Sequence, residues 1–335
     1  MTRWLIAAAV TALALAGPVG VRAETSEVRL ATQFGIGAMP MILMEKNKVL
    51  EKHLAAAGLK DTKVSWRQFP GGNPINEGLI AGSLDIASGG TTVFITLWGK
   101  TKGTTAAVRS AGALSALPLL FLTRDPNVNT LKDLSDRDKI GLTTVKISVH
   151  AILLQMAAAK LYGPENFARF DALTVGLPHG ETANALMSGA GEVNNHFSAP
   201  PFQNIELKAP GVRRVTSAQE ILGSPASYMV SYATEKFRNE NPKTFAAFVA
   251  ALHEVHDYIN KNPRAAAQDY LEQSKDKIAL DEAVAIITDN ESKFTTAPQN
   301  MVTFANFMNE RGLIKVRPAS WKDMFFPEIQ ADPGS

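Results

Sequence analysis

Leu79-Ile80-Ala81-Gly82-Ser83-Leu84-Asp85-Ile86 and, about a hundred residues further on, Leu186-Met187-Ser188-Gly189-Ala190-Gly191-Glu192-Val193 follow one pattern. Each is an apolar helix end, a glycine stop and the start of a strand. The repetition predicts two similar α/β lobes, and two lobes leave a cleft between them, the usual seat of a small ligand.

Working outward from the first copy, Val28 to Gln33 alternates as a strand and breaks at Phe34-Gly35-Ile36-Gly37. Ala38 to Ala57 then has helical periodicity closed by Gly58. Val64 to Phe69 is a second strand, ended by Pro70-Gly71-Gly72-Asn73-Pro74, and a helix through Leu79 leads to a strand from Leu84 to Ala87. Ser88-Gly89-Gly90-Thr91-Thr92 opens a helix ending near Gly99, and Thr105 to Arg109 is a short strand. Strands alternating with helices predict a mostly parallel sheet flanked by helices.

Leu117 to Thr123 is almost wholly apolar and reads as the crossing into the second lobe. There, strands are expected at Lys139 to Thr143, Ala172 to Leu177 and Val193 to Phe197, with helices at Val149 to Leu161 and Thr182 to Ser188. Tyr228 to Ala233 reads as the return crossing. The remainder is helical by pattern, broken at Asn241-Pro242, Asn262-Pro263 and Ala297-Pro298, and should pack on the first lobe.

Arg3, the apolar run Trp4 to Ala16 and Val21-Arg22-Ala23 fit a secretory signal peptide over residues 1–23. The expected lobes are residues 24–116 with 228–335, and residues 117–227. Cleavage removes Arg3 and Arg22 and no acidic residue, so the formal charge of +2 falls to about zero, which argues against a nucleic-acid partner. The chain has 45% hydrophobic residues, enough for a large core, and no cysteine, which excludes thiol catalysis, cysteine-ligated metals and a lipid-modified anchor. The expected product is soluble and periplasmic.

In parallel sheets the loops after the strands, and the helix N-termini they feed, form the binding face. Those N-termini offer free backbone N–H groups that suit anions without a basic side chain. Ser88, Gly89, Gly90, Thr91 and Thr92 make the leading candidate: glycines permit close approach, and hydroxyls can cap the helix or bond a ligand. Ile147 and Ser148 occupy the equivalent place in the second lobe. Phe34 and Phe197 follow strands as aromatic surfaces for a ligand or as core, and His179 sits in a Pro-His-Gly-Glu loop as a contact or a solvated residue.

His196, near a strand end, reads as a buried, satisfied histidine. His253 and His256 lie three apart beside Glu254 and Asp257, but no third ligand is indicated, so no metal site is expected. Gly99-Lys100-Thr101 lacks the first glycine of a P-loop, Val108-Arg109-Ser110-Ala111-Gly112 lacks that of a nucleophile elbow, and Ser274 with Lys277 sits in a charged run. No catalytic residues, metal or cofactor are expected.

Taken in order, Glu77 to Ala87, Asn129-Thr130-Leu131-Lys132-Asp133-Leu134, Gly189 to Val193, His196-Phe197-Ser198-Ala199-Pro200-Pro201-Phe202 and Glu235-Lys236-Phe237 resemble the periplasmic substrate-binding proteins of ABC importers. The type is the one that takes nitrate, sulfonate, taurine and thiamine precursors, and the likeness spans most of the chain. It implies the two-lobed periplasmic binding protein fold of type II, with two crossing strands as the hinge. It also implies a ligand held in the cleft, delivery to a membrane permease with its ATPase subunits, and a monomer.

By the same resemblance, ligand contacts fall on Gln33, Phe34, Gly71, Gly72, Asn73, Ser88, Gly89, Gly90, Thr91, Thr92, Ile147, Ser148, His179, Gly180 and Phe197. Ser198-Ala199-Pro200 lacks the tryptophan and acidic residue often found before that proline in sulfonate and taurine binders. The expected ligand is therefore a small anionic or planar polar solute. An enzyme on the same scaffold and a sensor docking on a receptor stay open as alternatives.

Overall fold

The computed structural model describes residues 23–335. The expected signal peptide lies outside the described residues except for Ala23. Two sheets of five strands each carry the architecture. The strands are β1 (Glu27–Gln33), β2 (Lys63–Phe69), β3 (Ile86–Gly90), β4 (Val108–Ala116), β5 (Leu120–Thr123), β6 (Ile140–Leu142), β7 (Thr174–Gly176), β8 (Asn195–Ser198), β9 (Arg213–Ser217) and β10 (Ser227–Thr234).

One sheet runs β2-β1-β3-β10-β4 and the other β7-β6-β8-β5-β9. Both are mixed: β10 is antiparallel to β3 and β4, and β5 is antiparallel to β8 and β9, while the remaining pairs are parallel. Superimposing the two orders sets β3 against β8. The two copies of the helix-glycine-strand pattern feed those equivalent strands, and Gly82 and Gly189 both adopt positive φ, 71° and 66°. A left-handed residue at a helix end favours glycine, which explains why the same letter recurs there.

Each antiparallel strand is the first element after a crossing. The chain leaves the first sheet after β4, runs through Leu117-Pro118-Leu119 and enters the second as β5. It leaves after β9 and the helix Ala218–Leu222 and re-enters as β10. Both antiparallel strands are buried: Phe121 and Leu122 of β5 and Val230 and Tyr232 of β10 have no exposure. Each such apolar side chain contributes about 1.5–3 kcal/mol.

The structure redraws three expected elements. Ser88, Gly89 and Gly90 are strand rather than helix opening, because β10 pairs Ser231, Val230 and Met229 with them. The expected strand Thr105 to Arg109 becomes β4, which starts at Val108 and extends to Ala116 against β10. The single helix expected over Ala38 to Ala57 is two, Met39–Lys46 and Val49–Ala56, broken at Lys48 with φ 51°.

The C-terminal helices pack mainly on the first lobe, and the helix Met301–Glu310 touches both the helix Thr91–Thr101 and the helix Val149–Tyr162 of the other lobe. Glu24 caps the helix Pro242–Lys261: its carboxylate accepts from Lys243 N and Thr244 N at 2.7 Å each. Among the described residues no helix is long and apolar enough to cross a membrane.

Candidate functional site

The carboxyl ends of β1, β3, β6 and β8 meet across the gap between the sheets, and the walls touch. The hydroxyl of Thr92 donates to Ile147 O of the second lobe at 2.6 Å. Gly71 faces Thr143, whose carbonyl oxygen would lie 3.6 Å from a Cβ there. Beside this seam lies a cleft of about 390 Å³, lined by Gln33 and Phe34 from the first lobe, Thr143, His179, Gly180 and Asn184 from the second, and Tyr228 from β10.

The expected contacts divide into three groups. Gln33, Phe34, His179 and Gly180 line the cleft, and Phe34 is 53% exposed there, a large aromatic face left open. A second group forms the seam. Thr91 donates to Ser227 O at 2.7 Å, Thr92 to Ile147 O, and the Ser148 side chain accepts from Ala151 N at 3.2 Å as the cap of the helix Val149–Tyr162. These hydroxyls are committed to backbone groups. Gly71 and Gly90 border the same seam, facing Thr143 and Val149, whereas Gly72 packs on Val93 and Gln33 of its own lobe and Asn73 is exposed.

The third group lies behind the wall. Ser88 is buried and donates to Ala31 O at 3.1 Å, and Gly89 is buried beneath Tyr232, whose hydroxyl would stand 2.9 Å from a Cβ at that position. Phe197 is fully buried and meets Phe121 edge-on at 5.8 Å.

Sequence reading missed Tyr228, Phe202, Glu181, Asn184 and Asp276, which also line the cleft. Asn184 follows Gly180 by one helical turn on the helix His179–Ser188, so the helix face carrying Gly180 was the available signal. Tyr228 had none: it stands second in an antiparallel strand, at the amino end, where the rule that carboxyl ends of parallel strands form the binding face does not apply.

A buried polar chain backs the cleft. Glu206 ends the helix Phe202–Glu206 with no exposure; its Oε1 lies 2.6 Å from His196 Nδ1, and its Oε2 accepts from Ser198 Oγ at 2.6 Å. His196 Nε2 lies 2.8 Å from His179 Nδ1, and His179 Nε2 lies 3.4 Å from Tyr228 Oη. His179 opens a helix and is 8% exposed, so it is not a solvated loop residue. Burial, then the neighbouring His150 and His196, hold its pKa well below the ordinary value, and burial raises that of Tyr228.

His150 stands alongside, edge-on to His179 at 4.9 Å and to Tyr228 at 5.6 Å, with neither ring nitrogen partnered. Burial and then His196 push its pKa down to about 3. Elsewhere the pair on the helix Pro242–Lys261 diverges, with His256 buried against Leu114 O at 3.0 Å and His253 exposed. Among the described residues no group of three or more histidine, cysteine, aspartate or glutamate side chains is placed to hold a metal.

No protein-family model matches the sequence, and no curated protein matches it. Solved structures do. The alkanesulfonate-binding protein SsuA of Xanthomonas axonopodis pv. citri, bound to MOPS, aligns with TM-score 0.68 and 15% identity over 87% of this chain and 95% of its own. The nitrate-binding protein NrtA of Synechocystis aligns with TM-score 0.70 and 14% identity over 92% and 88%. The aliphatic sulphonate binding protein SsuA of Escherichia coli gives 0.65 and 18% over 91% and 99%. With its paired sheets, twin crossings and shared cleft, the chain has the two-lobed fold of the periplasmic binding proteins.

Proposed function

We propose that the chain is the exported solute-binding component of an ABC importer, capturing a small planar polar solute between its lobes and handing it to a permease with ATPase subunits. The signal peptide over residues 1–23 and the periplasmic location belong to this reading. So do the lobe boundaries given above, a monomeric state and the absence of catalysis. The observation that carries it is the cleft itself, walled by both lobes and lined by the aromatic faces of Phe34, Tyr228 and Phe202, the amides of Gln33 and Asn184 and the carboxyl groups of Glu181 and Asp276, with no lysine or arginine among its lining residues. Aromatic faces and a few amides suit a flat, hydrogen-bonding solute better than a bare anion.

Capture works by population shift: a solute that touches both walls gains contacts only in the closed form, and so favours it. Native mass spectrometry of the purified protein, followed by a thermal-shift screen over aromatic acids, pyrimidines, sulfonates and nitrate, tests the reading. A planar compound bound one to one, recovered intact, should add about 2.7 kcal/mol of stability at a hundredfold excess over its Kd. Conversion of the compound, or stabilisation by nitrate and sulfonates alone, refutes it.

A further inference from the structure

We propose that the cleft selects a planar organic cation, such as an amidinium or an aromatic ammonium, held between the carboxylates of Glu181 and Asp276 and against the ring of Phe34. The proposal rests on the cleft being a solute site and adds the charge of what binds there. Its basis is an imbalance in the lining. Two carboxyl groups border the cavity of about 390 Å³ and no lysine or arginine does, while His179, the histidine of that lining, is kept neutral by burial.

The carboxylates come from opposite walls. Glu181 stands in the first turn of the helix His179–Ser188 of the second lobe, and Asp276 follows the helix Pro263–Ser274, which packs on the helix Met39–Lys46 of the first. Glu181 is exposed and has no hydrogen bond or ion pair among the described residues. Asp276 Oδ2 accepts from the Tyr270 hydroxyl, which leaves Oδ1 for another donor. Burial raises the pKa of Asp276, and no cation acts to lower it, although Lys275 and Lys277 flank it in sequence; both lysines are exposed and outside the lining. Like charges facing each other across a closing cleft repel, and a cation between them replaces that repulsion with attraction to both walls. A flat, delocalised cation suits the remaining lining: Phe34 offers a ring face, 53% exposed and touching no other ring among the described residues, that attracts positive charge, and the amide oxygens of Gln33 and Asn184 can accept its N–H groups. A bare metal ion finds no ligand set there, since among the described residues no three histidine, aspartate or glutamate side chains converge.

The test titrates the exported protein at neutral pH with benzamidine, benzamide and benzoate, three probes of nearly one shape that carry positive, zero and negative charge. By calorimetry in low salt, benzamidine should bind about tenfold more tightly than benzamide, and benzoate more weakly than either. Molar sodium chloride should weaken benzamidine several-fold and leave benzamide unchanged. Glu181→Gln and Asp276→Asn should each cost benzamidine about tenfold without affecting benzamide, a split that a purely structural role for either carboxylate would not produce, and the double variant should bind the two probes alike. Glu181 is exposed and bonds nothing, so its variant keeps the fold and decides the matter should Asp276→Asn unfold. Benzamide or benzoate binding as tightly as benzamidine, or an unchanged benzamidine affinity in Glu181→Gln, overturns the charge preference and leaves solute capture standing. Failure of all three probes overturns it too, and a co-purified neutral or anionic solute in the native mass spectrum would then show that capture survives without it.

Discussion

His150 offers the most direct physical check, because a buried imidazole with no hydrogen-bond partner ties stability to pH. Its pKa in the folded protein is lowered to about 3, against about 6.5 when the chain is unfolded. The neutral ring is therefore the folded form. Its contribution is complete above pH 6.5 and is lost progressively as pH falls from there toward 3, since the unfolded chain takes up a proton that the folded one refuses. Between pH 7 and pH 5 the loss is about 1.4 pH units, or about 2 kcal/mol.

Urea denaturation of wild type and His150→Phe at both pH values isolates this amount. Asp171, Asp276 and Glu45, whose pKa values burial raises, oppose the trend, but they are common to both proteins and cancel in the difference. The variant should match wild type at pH 7 to within about 1–2 kcal/mol, because an apolar ring of similar shape replaces nitrogens whose one approach, to the Ser198 backbone, falls short of a well-formed hydrogen bond. It should lose about 2 kcal/mol less than wild type on going to pH 5. Equal losses in both proteins would show that His150 is solvated or charged, and a variant weakened by 3 kcal/mol or more at pH 7 would show that its nitrogens have partners.

Three further outcomes follow from close contacts and caps. Gly37→Ala places a Cβ 2.6 Å from the Tyr228 ring, so it should push that ring aside and weaken binding of the planar solute found in the screen by about tenfold with little change in melting temperature, measured by calorimetry. Gly141→Ala, on the buried strand β6, meets Thr182 Cγ2 at 2.1 Å and should cost about 1–3 kcal/mol in urea denaturation. Glu24→Ala removes the cap on the helix Pro242–Lys261 and should cost about 1 kcal/mol; an unchanged midpoint would contradict the capping role.

The doubled lobe was legible because helix-glycine-strand is a local signal, and the αL glycine at each copy forces the same residue on both. Elements set by long-range pairing were less legible. Nothing near Ser88-Gly89-Gly90 announces a strand; β10, well over a hundred residues later, supplies the partner that extends it. The break at Lys48 has no glycine or proline to mark it. At the site, strand-end reasoning reached Gln33, Phe34, His179 and Gly180, which line the cleft. It also reached Thr91, Thr92 and Ser148, whose hydroxyls bond the backbone. Hydrogen-bond commitments of that kind depend on which carbonyl lies opposite, and the local sequence does not encode it.

The antiparallel course of β10 has a mechanical consequence. The strand enters its sheet from the crossing at its cleft end, so Tyr228, second in the strand, belongs both to the cleft wall and to the stretch of chain that joins the two sheets. Anything that displaces that ring therefore presses on the connection between the halves as well as on the surface between them.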